Sequence, residues 1–134
     1  MTIPGDNPKH EAGSAKSVTH VVPPVVMHEL GLAMLEGALK YGAYNWRTAG
    51  LVTSTYYDAA RRHLDAWWEG EDTDLESGVS HLVKAMACMV VIRDAEVQGM
   101  VLVDDRPPKT KDGWQQDINK QVQQLRERFD GQSR

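Results

Sequence analysis

The stretch Leu82–Ile92 limits the possible folds more than any other part of the chain. Lys84 is the only charged residue in it, and the rest is apolar. A helix that is apolar on most sides must be covered on most sides, so this one belongs at the centre of a bundle or in an oligomer interface. The spacing predicts that it runs to about Gln98, with Asp74 or Ser77 as its cap. A helix over 24–41 is predicted before it. Met27, Leu30, Met34, Ala38 and Tyr41 form one apolar stripe there, and Glu29, Ala33, Glu36 and Lys40 a second stripe at similar spacing. Pro23 and Pro24 suit its start, and Gly42 suits its stop. Strong helix formers predict a further helix over about 55–68, capped by Ser54 or Thr55. A polar helix over 114–129 carries a thin stripe of Trp114, Ile118, Val122, Leu125 and Phe129. Such a stripe is expected to pack on another subunit or elsewhere on the bundle. Residues 42–53 read as a loop and 106–113 as a linker. Residues 99–103 either continue the third helix loosely or form a short extended piece. The fold class is all-α.

The 134 residues suit one domain. The expected division is a flexible arm over 1–22, a helical domain over 23–103, and a linker with a C-terminal helix over 104–134. The net charge of −4 offers no basic patch for DNA, RNA or an acidic membrane. A carboxylate-rich protein still binds polyphosphate when divalent ions neutralise both sides. Cys88, the single cysteine, lies inside the apolar run and reads as a buried, inert thiol. Unpaired cysteine, no signal-peptide core and no apolar run near the ~20 residues that span a bilayer together predict a cytoplasmic protein.

Chemistry is suggested first by the connection between the second and third helices. Glu69, Glu71, Asp72, Asp74 and Glu76 crowd five carboxylates into eight residues. They form either a solvated acidic turn or a site for a hard divalent ion such as Mg²⁺ or Mn²⁺. The spacing does not fit the EF-hand loop. Glu36 and Lys40, four apart, are either a surface ion pair or a metal ligand beside a phosphate-binding cation. His63 and His81 are either packing residues or ligands. Arg62, next to His63, suits bidentate contact with phosphate. Tyr41, Tyr44, Trp46, Trp67 and Trp68 either pack at helix ends or stack on a nucleobase, with Asn45 placed to hydrogen-bond a base or sugar.

The segment Lys40-Tyr41-Gly42-Ala43-Tyr44-Asn45-Trp46-Arg47 is followed in order by Arg62-His63-Leu64, Gly70-Glu71, Asp74-Leu75-Glu76-Ser77-Gly78 and His81-Leu82. This set resembles the bacteriophage dATP/dGTP diphosphohydrolase family. That family is akin to the MazG-type all-α nucleoside triphosphate pyrophosphohydrolases, including the MazZ enzymes. The resemblance covers about residues 25–95 and leaves out the arm and the last helix. It implies an antiparallel helical bundle of the MazG-like type, completed by assembly into a homodimer or homotetramer. It also implies cleavage between the α- and β-phosphates of a purine nucleoside triphosphate, dGTP or GTP or else dATP, with Mg²⁺ or Mn²⁺ as cofactor. Nucleic acid and membrane are not expected partners.

Carried over by position, Lys40, Asn45 and Trp46 match the family's loop motif, Arg62 and His63 its second-helix motif, and Glu71, Asp74, Glu76 and His81 its third. The usual ExxE pattern is missing: Leu32 and Leu39 stand three residues after Glu29 and Glu36, and Val79 three after Glu76. The metal ligands implied are Glu36, Asp74 and Glu76, with Glu71, Glu29 and His63 behind them. Glu36, Lys40, Arg62 and His63 are the expected catalytic residues, and Lys40, Asn45, Trp46 and His81 the expected nucleotide-binding ones. On this reading two or more ions sit between the first helix and the acidic turn. Glu36 deprotonates the attacking water, Lys40 and Arg62 stabilise pyrophosphate, and Asn45 and Trp46 select the base. The rival readings are a non-catalytic oligomeric helical scaffold and a nucleotide-binding regulator.

Overall fold

The computed structural model describes residues 7–130. In chain order the elements are α1 (Pro8–Ser14), α2 (Pro24–Tyr41), α3 (Trp46–Ala49), β1 (Leu51–Val52), α4 (Thr53–Trp68), α5 (His81–Gln98), β2 (Val101–Val103) and α6 (Trp114–Arg128). The fold is all-α, with one small two-stranded sheet.

The apolar run becomes α5, which packs along α4 and α2. His81, Val83, Ala85, Val91 and Ala95 are its buried positions. The main core gathers Trp46, Leu51, Val91 and Ala95, with Met34, Tyr56 and Val101 against it. Coverage of α5 is incomplete, because Leu82, Met89 and Val97 remain exposed. The helix also begins later than expected. Its side-chain cap is Ser80, whose hydroxyl accepts from Leu82 N–H at 3.2 Å. Asp74 and Ser77 build a turn instead. The Asp74 side chain accepts from Glu76 N–H at 3.1 Å and from the Ser77 hydroxyl at 3.2 Å, and its carbonyl accepts from Gly78 N–H at 2.7 Å. These bonds satisfy the backbone locally, in competition with a helical turn.

Helix α2 ends as expected at Gly42, whose φ of +95° favours glycine and whose N–H donates to the Ala38 carbonyl. Its inward face differs from the predicted stripe. Ala33 is buried and Met34 and Ala38 half-buried, but Met27 and Tyr41 are exposed, as are Leu32, Leu35 and Leu39.

The predicted loop 42–53 contains α3 and β1. The segment after α5 takes the extended alternative: β2 pairs parallel with β1, Leu51 opposite Val101 and Val52 opposite Val103. Because β1 precedes α4 and β2 follows α5, this pairing makes α4 and α5 antiparallel. Neither Ser54 nor Thr55 caps α4. Asp105, just beyond β2, accepts from Ser54 N–H at 2.9 Å and from the Ser54 hydroxyl, so the cap is supplied from across the fold. The described part of the arm holds α1, capped by the Asn7 side chain and entirely exposed; residues 1–6 lie outside the described residues. Helix α6 forms at the predicted place but does not pack substantially on the other helices, and its apolar stripe is exposed.

Candidate active site

A cleft of about 260 Å³ opens between α2, α4 and α5. Helix α2 brings Glu36 and Lys40 to it, α4 brings Tyr56 and His63, and α5 brings Lys84. The Asp74 turn closes on this group through Lys84. The Lys84 ammonium donates to Glu36 Oε1 at 2.7 Å and to Asp74 Oδ2 at 2.7 Å. Burial works against the charge on Lys84, but the bonds to Asp74 and Glu36 outweigh it and hold the lysine above its ordinary pKa. The same bond from Lys84 takes Asp74 down to about 2. Lys40 donates to Glu76 Oε1 at 2.7 Å and lies 4.0 Å from Glu36 Oε2. Its hydrogen bond lowers the Glu76 pKa and raises that of Lys40. This outer pair is solvent-exposed and therefore contributes little to stability.

A second group meets beside the first. The buried His81 lies with Nε2 2.6 Å from Glu71 Oε1 and Nδ1 2.8 Å from His63 Nδ1. Burial lowers the His63 pKa, and the nearby charge of Lys84 adds to that.

The third group stands behind the cleft. The Trp46 indole N–H donates to Asp94 Oδ2 at 2.7 Å, and Arg47 grips both Asp94 oxygens at 2.8 and 2.7 Å. The bond from Arg47, then that from Trp46, brings Asp94 down to about 2. Tyr44 adopts a left-handed φ of +56°, with its ring 4.7 Å below the Arg47 guanidinium.

Several expectations change in this setting. Trp46 is only 7% exposed and belongs to the core, where it forms part of the cleft wall. His81 uses both ring nitrogens on protein partners and has none left for a nucleotide. Glu71 is bound to His81 and does not join Glu36 and Asp74. Arg62 is exposed, makes no hydrogen bond among the described residues and does not line the cleft. Trp67 and Trp68 remain exposed at the end of α4. Asn45 does line the cleft, and its side chain has no hydrogen-bond partner among the described residues, which leaves its amide available to a ligand.

Sequence reasoning missed Lys84 and Asp94. The signal for Lys84 was its isolation: a single charge within a buried apolar run requires a partner. Nothing local singles out Asp94.

The family described as dATP/dGTP diphosphohydrolase, N-terminal, matches residues 6–106. The chain belongs to this family. Neither the curated proteins nor the solved structures give a match. The dATP/dGTP diphosphohydrolase match runs from the start of α1 past β2, so it includes much of the arm that the motif resemblance left out. It covers every residue of the cleft and stops before α6. The family's name makes the chain a hydrolytic enzyme with a nucleotide substrate. No described helix is long and apolar enough to cross a membrane.

The donor set can be tested against a divalent ion. Among the described residues no three acidic, histidine or cysteine side chains gather into a ready cage. Glu36 and Asp74 nevertheless converge on one cationic atom, Lys84 Nζ, with hard oxygen donors. Mg²⁺ commonly takes only one or two carboxylates and fills its shell with water and substrate phosphate. The residues fit an ion of that kind.

Proposed function

We propose that the chain hydrolyses dGTP or dATP at the α–β phosphoanhydride bond, releasing the nucleoside monophosphate and pyrophosphate, with Mg²⁺ or Mn²⁺ as cofactor. The observation that carries this reading is the convergence of Glu36 and Asp74 on one cation position beside the cleft. Glu36 lies on α2 and Asp74 in the turn before α5, and among the described residues their only shared partner is Lys84.

Glu36 and Asp74 would hold the ion. When bound, it supplies charge neutralisation for the triphosphate and lowers the pKa of a bound water. Lys84, displaced from between the carboxylates, is placed to meet a phosphate oxygen as a point charge. Lys40 extends that positive edge, with Glu76 as its partner when no phosphate is present. Asn45 offers amide donors and an acceptor to a purine edge. The purine preference rests on the family's description, which names dATP and dGTP. The exposed leucine face of α2 and the stripe of α6 support assembly into a homodimer or homotetramer.

The test is a panel of the four deoxynucleoside triphosphates with Mg²⁺ or Mn²⁺, read by pyrophosphate release. A purine triphosphate is expected to yield monophosphate and pyrophosphate in equal amounts. Glu36→Gln and Asp74→Asn are expected to lose at least about 100-fold in turnover, as when groups tuning a metal site are removed. Release of inorganic phosphate instead would refute the bond assignment. Binding of nucleotide with no turnover would favour the regulator.

A further inference from the structure

We propose that Glu71, His81 and His63 form a relay in which His63 Nε2 takes the proton from the attacking water; this rests on the hydrolytic reading above. The geometry sets the direction of the relay. A carboxylate accepts only, so the 2.6 Å contact from Glu71 requires a proton on His81 Nε2. With His81 in its neutral form, Nδ1 then presents a lone pair. That lone pair, 2.8 Å from His63 Nδ1, requires the His63 proton at Nδ1. The remaining nitrogen, His63 Nε2, carries the free lone pair. It has no hydrogen-bond partner among the described residues, and His63 lines the cleft. This is the logic of a carboxylate holding an imidazole in the tautomer that a general base needs, extended by one ring.

The surroundings keep His63 available as a base. Lys84 and His81 on α5 and Arg62 on its own helix disfavour the imidazolium, and Asp74 in the turn favours it. Burial works in the same direction as the cations. Glu36 is less suited to the task, since on the reading above its carboxylate is occupied in holding the ion. In the step itself the water O–H bond breaks and its proton passes to His63 Nε2. The freed electron pair bonds the oxygen to the α-phosphorus. The bond from that phosphorus to the bridging oxygen breaks, and pyrophosphate leaves with the pair. The new positive charge on His63 is shared through His81 towards Glu71. His63 is the catalytic residue; His81 and Glu71 are positioning residues.

Two measurements test the relay. Nitrogen-15 NMR of the full-length protein, free of metal and nucleotide at neutral pH, reads the tautomers directly. His63 is expected as the Nδ1–H form and His81 as the Nε2–H form. A His63 ring protonated at Nε2 overturns the proposal. The second measurement is dGTP and dATP turnover by wild type and Glu71→Gln. Glu71 is half exposed, so the substitution spares the core. Glutamine carries no charge to offset an imidazolium on His63, and with its amide N–H turned to His81 Nε2 it reverses both tautomers and removes the lone pair from His63 Nε2. The expected result is a kcat lower by about 100-fold or more, the scale of general-base catalysis, with KM little changed. Wild-type turnover with an unaltered Glu71→Gln variant overturns the relay alone. A wild type that turns over no nucleotide overturns the hydrolytic reading and the relay together.

Discussion

Lys84 is a cation enclosed where two carboxylates require one. Its side chain is 13% exposed, and removing one member of a buried ionic group leaves the others uncompensated. Lys84→Met is therefore expected to destabilise the protein by about 3 kcal/mol in chemical denaturation without divalent ions. Added Mg²⁺ should recover part of that loss, more than it adds to the wild type; no recovery would refute the two-carboxylate ion site. Asp74 carries the matching pH effect. Its folded pKa of about 2 lies below the ordinary 3.8. A depressed carboxyl stabilises the fold fully above its unfolded pKa and loses that contribution as pH falls through the folded one. Stability on the order of 2 kcal/mol is thus expected to disappear between about pH 4 and pH 2, and Asp74→Asn should flatten that limb of a denaturation series. The individual site residues were legible in the sequence to different degrees. Glu36, Lys40, Asp74 and Glu76 stood out as charges at helix ends. Their pairing was not legible, because Lys84 meets one partner on α2 and another in the turn. Trp46 stood out by residue type, but its burial and its bond to Asp94 could not be read from the sequence.

At the scale of elements, periodicity carried most of the information. Helices α2, α4, α5 and α6 each repeat their pattern over several turns, so they were readable within a few residues. The two-residue β1 is too short to show an alternating period, and α3 is a single turn. The start of α5 was misplaced because Asp74, Ser77 and Ser80 are all competent caps, and local hydrogen bonds decide among them. Gly50 shows what the small sheet requires. It combines a φ of +75° with a position where any added Cβ would overlap the Leu102 side chain. Gly50→Ala is expected to cost about 1–3 kcal/mol through overpacking and backbone strain. In a double-mutant cycle Leu102→Ala should relieve the steric part and leave the part due to φ. Full additivity of the two substitutions would mean that the contact carries no energy.

At the scale of the whole molecule, the family match ends before the last helix, and the core does too. Removing residues 109–134 keeps Asp105 and its bond to Ser54, so the unfolding midpoint measured by circular dichroism is expected to stay where it is. If the exposed stripe of α6 joins subunits, sedimentation should show the shortened chain in a smaller assembly. An unchanged assembly would move the interface to the leucine face of α2. The parallel pairing of Leu51 with Val101 has a consequence for the order of folding. These residues sit at the two open ends of the α4–α5 hairpin, so their ladder cannot close until those helices have brought the chain back on itself. Closure of long loops is entropically costly before contacts compensate it. The ladder should form last and open first, and with it the Asp105 clasp on α4. Amide exchange at Val52 and Val101–Val103 would then outpace exchange in the middle of α5, marking an early breach through which a protease first reaches the hairpin.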